Sequence, residues 1–336
     1  EKELEGSGTK PEQSERLFEL AAIAEEVIPE RDRALGLYQR AWKLHPDNLK
    51  ALSRAREVYA EIGRLEMVGK LGEMELRSPA AAANLAAIVG EALLDSGQKD
   101  KALAVLQKAL EKTPDSYRVK DALAALSYDP EFWTDEVERL TDEATRFDSA
   151  MAARMLLRAA RIMRLQEPDN AGLEALLRQV LGHDIDEPSA NFMLESLLAA
   201  AQRWTDLEAH HDARVQHAAD TATKIERCRG FGLQWLQRFK DRERSARFFT
   251  QAVTFATSNG AVAMRSSVAM FALLRQTSSE RKDWAGLLAI ADQLLQRNTA
   301  GSDSDEMASE KLFVSSAAGA IGFEHLGDEG VARKYY

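Results

Sequence analysis

Three histidines lie close together in this chain and are its strongest candidates for binding a metal. His210 and His217 are seven residues apart, so they share one face of a helix, and Asp206 lies one turn before His210. Such a face can hold a divalent cation, but the segment lacks the HExxH spacing of zinc-binding helices, and Cys228 is distant in sequence. We therefore predict no metal site and no cofactor, and we interpret His210, His211 and His217 as partly solvated surface residues.

Two other features suggest chemistry. Cys228 is a candidate nucleophile, but a lone cysteine in a helical pattern is more simply explained as a small packing residue. Gly230-Phe231-Gly232 lacks the third glycine and the preceding strand of a dinucleotide-binding loop, so we predict that it permits close packing of helices. The chain also has no Walker, GxSxG or kinase motif. Because no acid, base and nucleophile converge, we predict that the chain is not an enzyme.

A row of four arginines marks one face of a helix predicted over residues 150–166. Their spacings of three and four residues place them near one another. Such a face can bind an acidic partner segment, or it can be a solvated face that pairs with neighbouring carboxylates such as Glu138 and Asp142. We favour the pairing and keep the row as a candidate second patch. The four residues are Arg154, Arg158, Arg161 and Arg164.

The composition narrows the class of protein. The chain has 336 residues, with 44 Lys and Arg against 54 Asp and Glu, a net charge of −10 and 45% hydrophobic residues. This balance is typical of a folded protein and disfavours nucleic acid as a partner. The 8 prolines and the scarcity of β-branched runs favour helices. A single cysteine excludes an internal disulfide framework and suits a reducing compartment, so we predict a cytoplasmic location. No apolar run is long enough for a membrane-spanning helix.

The chain repeats itself with a period of 34 residues. An Ala, a large apolar residue four positions on, an Ala three further on and a Pro five further on occur from Ala34 to Pro46. The same series occurs from Ala102 to Pro114, which is 68 residues later, and Gly63 lies 34 residues before Gly97.

This pattern resembles the tetratricopeptide repeat (TPR). In that repeat, a first helix with Trp-x-x-Leu-Gly-x-x-Tyr, a turn glycine and a second helix with Ala-x-x-x-Phe-x-x-Ala are followed by Pro. The third repeat matches best, at Val89, Gly90, Leu93, Gly97, Ala102, Leu106, Ala109 and Pro114.

The resemblance implies an all-α fold, a right-handed α-solenoid of about nine antiparallel helix pairs with the last pair truncated. Small residues such as Gly90 let two helices approach, and large ones such as Leu106 and Tyr38 fill the space between them. Because the last unit is half-built, we expect the chain to be a piece of a longer protein. The predicted divisions are a flexible lead-in at 1–14 and a solenoid at 15–336, with best-matching repeats at 15–115, degenerate repeats at 116–303 and a truncated TPR-like repeat at 304–336.

Local signals predict where helices begin. The first helix is expected from Glu15, and Asp47 and Asp115, each of which follows a proline, are the expected N-caps of the next helices. Arg203-Trp204 and Lys282-Asp283-Trp284 are interpreted as degenerate versions of the turn that leads into a second helix. A further helix is predicted over residues 261–276.

The resemblance also implies a concave groove lined by the first helix of each pair. In the first four repeats this register contains eight acidic and three basic residues, and it lacks the Lys/Asn/Arg clamp with which chaperone-adaptor TPRs bind a terminal carboxylate. We therefore predict that the groove binds a basic or mixed-charge segment, the alternative being an acidic surface without a ligand. The candidate residues are Glu19, Ile23, Glu26, Glu57, Glu61, Glu91, Leu94, Asp95, Asp121 and Tyr128.

The function that these observations favour is a non-catalytic scaffold or adaptor for a protein or peptide partner. Two alternatives belong to other classes. The chain can be the regulatory or recruiting arm of an enzyme or signalling protein, for example one that docks a small GTPase. It can also be a structural element that self-associates through exposed apolar helix faces.

Overall fold

The structure is a computed structural model that describes residues 8–26, 31–82, 84–258, 271–275, 277, 282–295 and 305–336. Every secondary-structure element of these residues is helical, which confirms the predicted all-α class. The helices are α1 (Lys10–Glu26), α2 (Arg31–Leu44), α3 (Leu49–Glu61), α4 (Leu65–Glu75), α5 (Leu85–Asp95), α6 (Lys99–Lys112), α7 (Tyr117–Ala124), a 3₁₀ turn (Pro130–Phe132), α8 (Trp133–Ala144), α9 (Ser149–Gln166), α10 (Gly172–His183), α11 (Pro188–Ala200), α12 (Trp204–Gln216), α13 (Thr221–Gln237), α14 (Arg242–Ser258), α15 (Trp284–Leu295), α16 (Asp305–Ala320), a π-helical segment (Ile321–His325) and α17 (Glu329–Tyr335).

The described residues form two compact units. The first unit contains the residues up to Leu17 and those from Tyr38 to His210, and the second contains residues 18–37 and those from His211 onward. In the first unit α3 packs on α4, α4 on α5 and α5 on α6, and further along α8, α9, α10 and α11 pack in succession. In the second unit α13 packs on α14, α15 on α16 and α16 on α17. Packing between sequence neighbours is the arrangement of a helical repeat protein.

The turn between two paired helices has the same backbone conformation in well-matched and degenerate repeats. Gly63 and Gly97 have φ of 70° and 80°, and Gln202 and Lys282 have φ of 54° and 58° at the equivalent position. After Gly97, the Gln98 amide donates to the Leu93 carbonyl at 2.8 Å. After Gln202, Arg203 donates to the carbonyl five residues before it at 2.9 Å. These are Schellman turns, so the same turn forms at Gln202, where the glycine is absent.

The helix starts after Gln202 and Lys282 confirm the two degenerate turns, because α12 begins at Trp204 and α15 at Trp284. The predicted N-caps are wrong by one residue. Asn48 accepts from the amide of Ala51 at 3.3 Å, and Ser116 accepts from the amide of Val119 at 3.5 Å, so these residues take the places expected for Asp47 and Asp115. Asp, Asn and Ser are all favourable N-cap residues, so the sequence does not distinguish Asp47 from Asn48 or Asp115 from Ser116. The conformation of the turn decides which of the two caps the helix.

The predicted start of α1 is also wrong, because the helix begins at Lys10 and not at Glu15. The Glu12 carboxylate accepts a hydrogen bond from the Thr9 amide at 2.8 Å, which is half of a capping box, and Pro11 occupies the first turn. Of the helix predicted over 261–276, residues 261–270 and 276 lie outside the described residues, and residues 271–275 are helical.

Small and large residues share the space between α5 and α6 as predicted. A Cβ built on Gly90 would lie 2.5 Å from Leu106 Cδ2, so only glycine fits there. Ala102 and Ala109 of α6 are buried in one hydrophobic cluster with Leu85 of α5, and Leu106 of α6 is completely buried in the same cluster. This close packing holds α5 in the place from which its other face contributes to the site described below. Among the described residues, no helix combines the length and apolar character required to cross a membrane.

Candidate functional site

A cavity of about 450 Å³ lies in the first unit, where α5, α7, α9 and the loop before α11 meet. On α9, spacings of four residues place Ala150, Arg154 and Arg158 on the face toward the cavity. The N-cap Asp148 begins this helix by accepting a hydrogen bond from the Met151 amide at 2.9 Å. The lining residues are Glu91, Tyr117, Arg118, Asp121, Ala150, Ala153, Arg154, Leu157, Arg158, Arg161, Asp184, Glu187 and Pro188.

Arginine–carboxylate pairs cover much of the cavity wall. Arg154 binds Asp121 through two hydrogen bonds, of 2.6 and 3.1 Å, and its guanidinium lies 4.6 Å from the centre of the Tyr117 ring. Hydrogen bonding to Asp121 raises the pKa of Arg154. Arg118 donates to Glu91 at 2.6 Å. These pairs cross from one helix to another, so the wall is held by bonds between α5, α7 and α9.

Beneath the cavity, a buried network joins α5, α9 and α11. Arg161 Nε lies 3.1 Å from Asp95 Oδ1, and Arg161 Nη2 donates to Ser189 Oγ at 2.8 Å. Ser189 Oγ in turn donates to Asp95 Oδ2 at 2.6 Å, although the two residues are 94 positions apart. Burial lowers the pKa of Arg161, but the charges of Asp95 and Glu91 outweigh it and the pKa is raised above its ordinary value. The guanidinium is therefore a permanent buried cation.

The loop before α11 supplies two carboxyl groups to the cavity, those of Asp184 and Glu187, and neither is paired with an arginine that the structure describes. Glu187 Oε2 accepts a hydrogen bond from the Ala190 amide at 2.6 Å and so caps the N-terminus of α11. Burial raises the pKa of Glu187 to about 7, against the opposing influence of the Ala190 hydrogen bond and of Arg161. Asp184 is exposed, and it accepts a hydrogen bond from the Asp186 amide at 3.0 Å.

The two patches expected from the sequence are brought together in one place. Glu91 and Asp121 of the expected acidic groove line the same cavity as three arginines of the expected basic row. The predicted pairing of that row with Glu138 and Asp142 is wrong, because the α9 face turns toward other carboxylates. The observed pairs are Arg154 with Asp121, Arg158 with Glu136 at 2.8 Å, and Arg161 with Asp95. Arg164 does not line the cavity, and its guanidinium lies 5.9 Å from the centre of the Phe192 ring.

Other residues of the expected groove lie outside the cavity lining. Leu94 and Asp95 are buried, the first in the core between α5 and α6 and the second in the network with Arg161. The Tyr128 hydroxyl accepts a hydrogen bond from the Gln166 side chain. Glu57 and Glu61 each lie 3.0 Å from the Arg54 guanidinium.

Three further groove residues belong to α1 in the second unit. Glu19 is exposed there, Ile23 is 49% exposed, and the side chain of Glu26 is outside the described part of the chain.

The cavity also contains residues that the groove prediction does not include. Tyr117 stands at the beginning of α7, and Pro188 is the first residue of α11. Asp184 and Glu187 lie in the loop before α11, which a register of first helices leaves out. Pro188 is a sequence signal for a helix start, because Pro suits the first helical position. It does not indicate that the loop reaches a cavity.

The histidines of the candidate metal cluster and Cys228 are not among the residues that line the cavity. His210 Nε2 lies 2.8 Å from the Asn191 side-chain oxygen. His211 is completely buried and stacks on Phe231 with ring centres 4.1 Å apart, so its interpretation as a solvated residue is wrong. Aromatic neighbours from α13 and α14 cover it, which sequence spacing does not reveal. In the described ranges, no three His, Cys, Asp or Glu side chains are grouped so as to hold a metal.

Cys228 is buried, and burial raises the pKa of its thiol to about 12. At neutral pH it is a protonated thiol and a poor nucleophile, in agreement with a packing role. A Cβ on Gly232 would overlap the Phe249 ring, so this glycine permits close approach of α13 and α14 as predicted.

Helix pairs joined by recurrent Schellman turns and packed against their sequence neighbours define a helical repeat protein. No known protein-family model matches the chain, and no curated protein matches it. The P58(IPK) TPR domain is 14% identical with a TM-score of 0.25, over 90% of this chain and 97% of that one. Yeast Tom70 is 11% identical with a TM-score of 0.26, over 97% and 99% of the two chains.

A chain of the Naa15/Naa10 complex bound to HypK-THB is 13% identical with a TM-score of 0.23, over 96% of this chain and 57% of that one. At these identities and scores the likenesses carry no statement about the arrangement of the two units, about activity or about partners.

Proposed function

We propose that this chain is a non-catalytic interaction scaffold that holds a mixed-charge segment of a partner protein in the cavity of its first unit. The observation that carries the proposal is the cavity itself. It opens where α5, α7 and α9 converge, and guanidinium and carboxylate groups from all three helices border it. Tyr117, which is 56% exposed, adds an aromatic surface at its edge.

The lining favours a protein segment over a small organic ligand. Eight of the thirteen lining residues are acidic or basic, whereas small-molecule sites are mostly apolar with a few polar groups. An extended segment offers backbone carbonyls, amides and alternating side chains, which suit a wall of charged hydrogen-bonding groups.

The charge balance favours a mixed-charge segment over a purely basic one. The sequence suggests an acidic groove, but Glu91 and Asp121 are bound by Arg118 and Arg154. A basic segment would have to compete with these guanidinium groups, whereas a segment with both signs can approach paired charges without disrupting them.

Catalysis is not supported by this lining. It contains arginines, carboxyl groups, a tyrosine and apolar residues, and no Ser, Cys, Lys or His is among the cavity-lining residues that the structure describes.

The test is peptide selection followed by obstruction of the cavity. A random dodecapeptide phage library is panned on the chain, and selected peptides are synthesised and measured by fluorescence anisotropy. Ala150 is exposed and lines the cavity, so Ala150→Trp should weaken binding by about tenfold or more, a loss of ~1.4 kcal/mol.

Ala104, exposed on α6 and outside the lining, provides the matched control Ala104→Trp, which should bind as the unmodified chain does. Failure to select any peptide, or equal binding by Ala150→Trp, would refute the proposal.

A further inference from the structure

Most of the eight charged groups of the cavity already have a partner of opposite charge. Six of the eight form ion pairs: Glu91 with Arg118 and Arg161, Asp121 with Arg154, and Arg158 with Glu136 outside the lining. Asp184 and Glu187 are the remaining two. Among the described residues, no Lys, Arg or His nitrogen lies within ion-pairing distance of either carboxyl group. The residual charge of the cavity is therefore acidic and lies on the loop before α11.

The geometry of Glu187 leaves one oxygen for a ligand. Its Oε2 is used by the Ala190 amide, while Oε1 accepts no hydrogen bond from the described residues. Asp184 lines the same cavity and is exposed. The two carboxyl groups offer acceptors for the N–H donors of an ammonium or guanidinium group, and a cavity of about 450 Å³ has room for a side chain that carries one.

We propose that Asp184 and Glu187 receive a cationic side chain, a lysine or an arginine, of the segment bound in the cavity. This proposal rests on the proposed function and adds the chemistry of one partner residue. Arg161 does not neutralise these two carboxyl groups, because its guanidinium is bound to Asp95 and Ser189. A ligand cation supplies the counter-charge that the partly buried Glu187 lacks.

The surroundings of Glu187 make the interaction depend on pH. The charged groups that face it are Arg161 of α9, Glu91 and Asp95 of α5, and Asp184 of its own loop. Because burial raises the pKa of Glu187 to about 7, the carboxyl group is partly protonated at neutral pH. A bound cation favours the ionised form, so binding releases a proton and strengthens as pH rises. With a free-state pKa near 7, the affinity should increase about tenfold from pH 6 to pH 8.

The experiment uses two small probes that differ only in charge. N-acetyl-arginine amide carries a guanidinium, and N-acetyl-citrulline amide is its neutral isostere. Each is titrated into the ¹⁵N-labelled full chain at pH 6, 7 and 8, and amide shifts are followed at residues 184–190. The arginine probe should shift and saturate these signals about tenfold more tightly at pH 8 than at pH 6, and the citrulline probe should not.

Variants assign the effect to the two carboxyl groups. Glu187→Gln should weaken the arginine probe about fivefold or more at pH 8 and abolish the pH dependence. Asp184→Asn should weaken binding of the arginine probe while the pH dependence remains. Because Asp184 does not cap α11, this variant tests the proposal even if Glu187→Gln disturbs the start of that helix. Glu111→Gln, an exposed position on α6, serves as the control and should change nothing.

Equal shifts with both probes, or unchanged arginine binding in both cavity variants, would overturn this proposal. If peptides selected by panning are nevertheless blocked by Ala150→Trp, the scaffold function stands and only the cation assignment is wrong. If the arginine probe binds as expected but no peptide depends on the open cavity, the cation site stands and the scaffold function is wrong.

Discussion

Replacing Arg161 by methionine should destabilise the first unit more than any other single change among the arginines of α9. The guanidinium is 3% exposed, and it lies 3.1 Å from Asp95 Oδ1, 2.8 Å from Ser189 Oγ and 3.7 Å from Glu91 Oε1. Methionine fills much of the same volume but provides no charge. Asp95, whose side chain is 5% exposed, then remains as a buried carboxylate without a cation.

The expected loss follows from that uncompensated charge. Removing one partner of a buried ion pair costs about 3–5 kcal/mol.

The assay is urea unfolding followed by circular dichroism, with hydrogen exchange of α9 and α11 to place the effect. Arg178 provides the matched control, since its side chain is 46% exposed and pairs with Glu174 on the same helix. Arg178→Met should cost less than ~1 kcal/mol. Replacing Asp95 by leucine together with Arg161→Met should recover much of the loss, because the buried charge is then removed. A loss below ~1 kcal/mol for Arg161→Met, or no recovery in the double variant, would refute the reasoning.

Two further predictions concern the turn at Gln202 and the buried thiol of Cys228. Gln202 has a φ of 54°, which costs an L-residue about 1–2 kcal/mol, so Gln202→Gly should raise the unfolding free energy by ~0.5–1 kcal/mol after the entropy cost of glycine. A lower urea midpoint in this variant would contradict the Schellman assignment. Cys228, with its pKa raised to about 12, should react with iodoacetamide at pH 8 at least about a hundredfold more slowly in the native chain than in urea. Equal labelling rates would show that the thiol is not held in its buried environment.

The repeat architecture was predictable because its signals are local. A helix pair with its turn spans about one period of the sequence, and helix starts, turns and small packing residues depend on neighbours within that span. This is why the turns at Gln202 and Lys282 are found although neither residue is glycine. The error at Asp47 comes from choosing between adjacent capping residues. The error at Glu15 is larger, because the capping interaction of Thr9 and Glu12 starts α1 five residues earlier.

The candidate site was predictable only as separate parts. The acidic register of α5 and α7 and the arginine row of α9 are both visible in the sequence, but their spacing says nothing about which groups meet. Asp95 and Arg161 are 66 positions apart, and Asp95 and Ser189 are 94 apart. Their pairing requires α5, α9 and α11 to converge, and that depends on how each helix tilts against its neighbours.

The sequence by itself therefore determined the helical class, the repeat period, the turn that recurs between paired helices and the supply of opposite charges. The tertiary structure decided that most of those charges neutralise each other and that His211 is buried among aromatic rings. It also decided that Asp184 and Glu187 lack a cation among the described residues. The physical reason is distance along the chain: backbone geometry and capping act within a few residues, whereas burial and ion pairing depend on contacts between helices far apart in sequence.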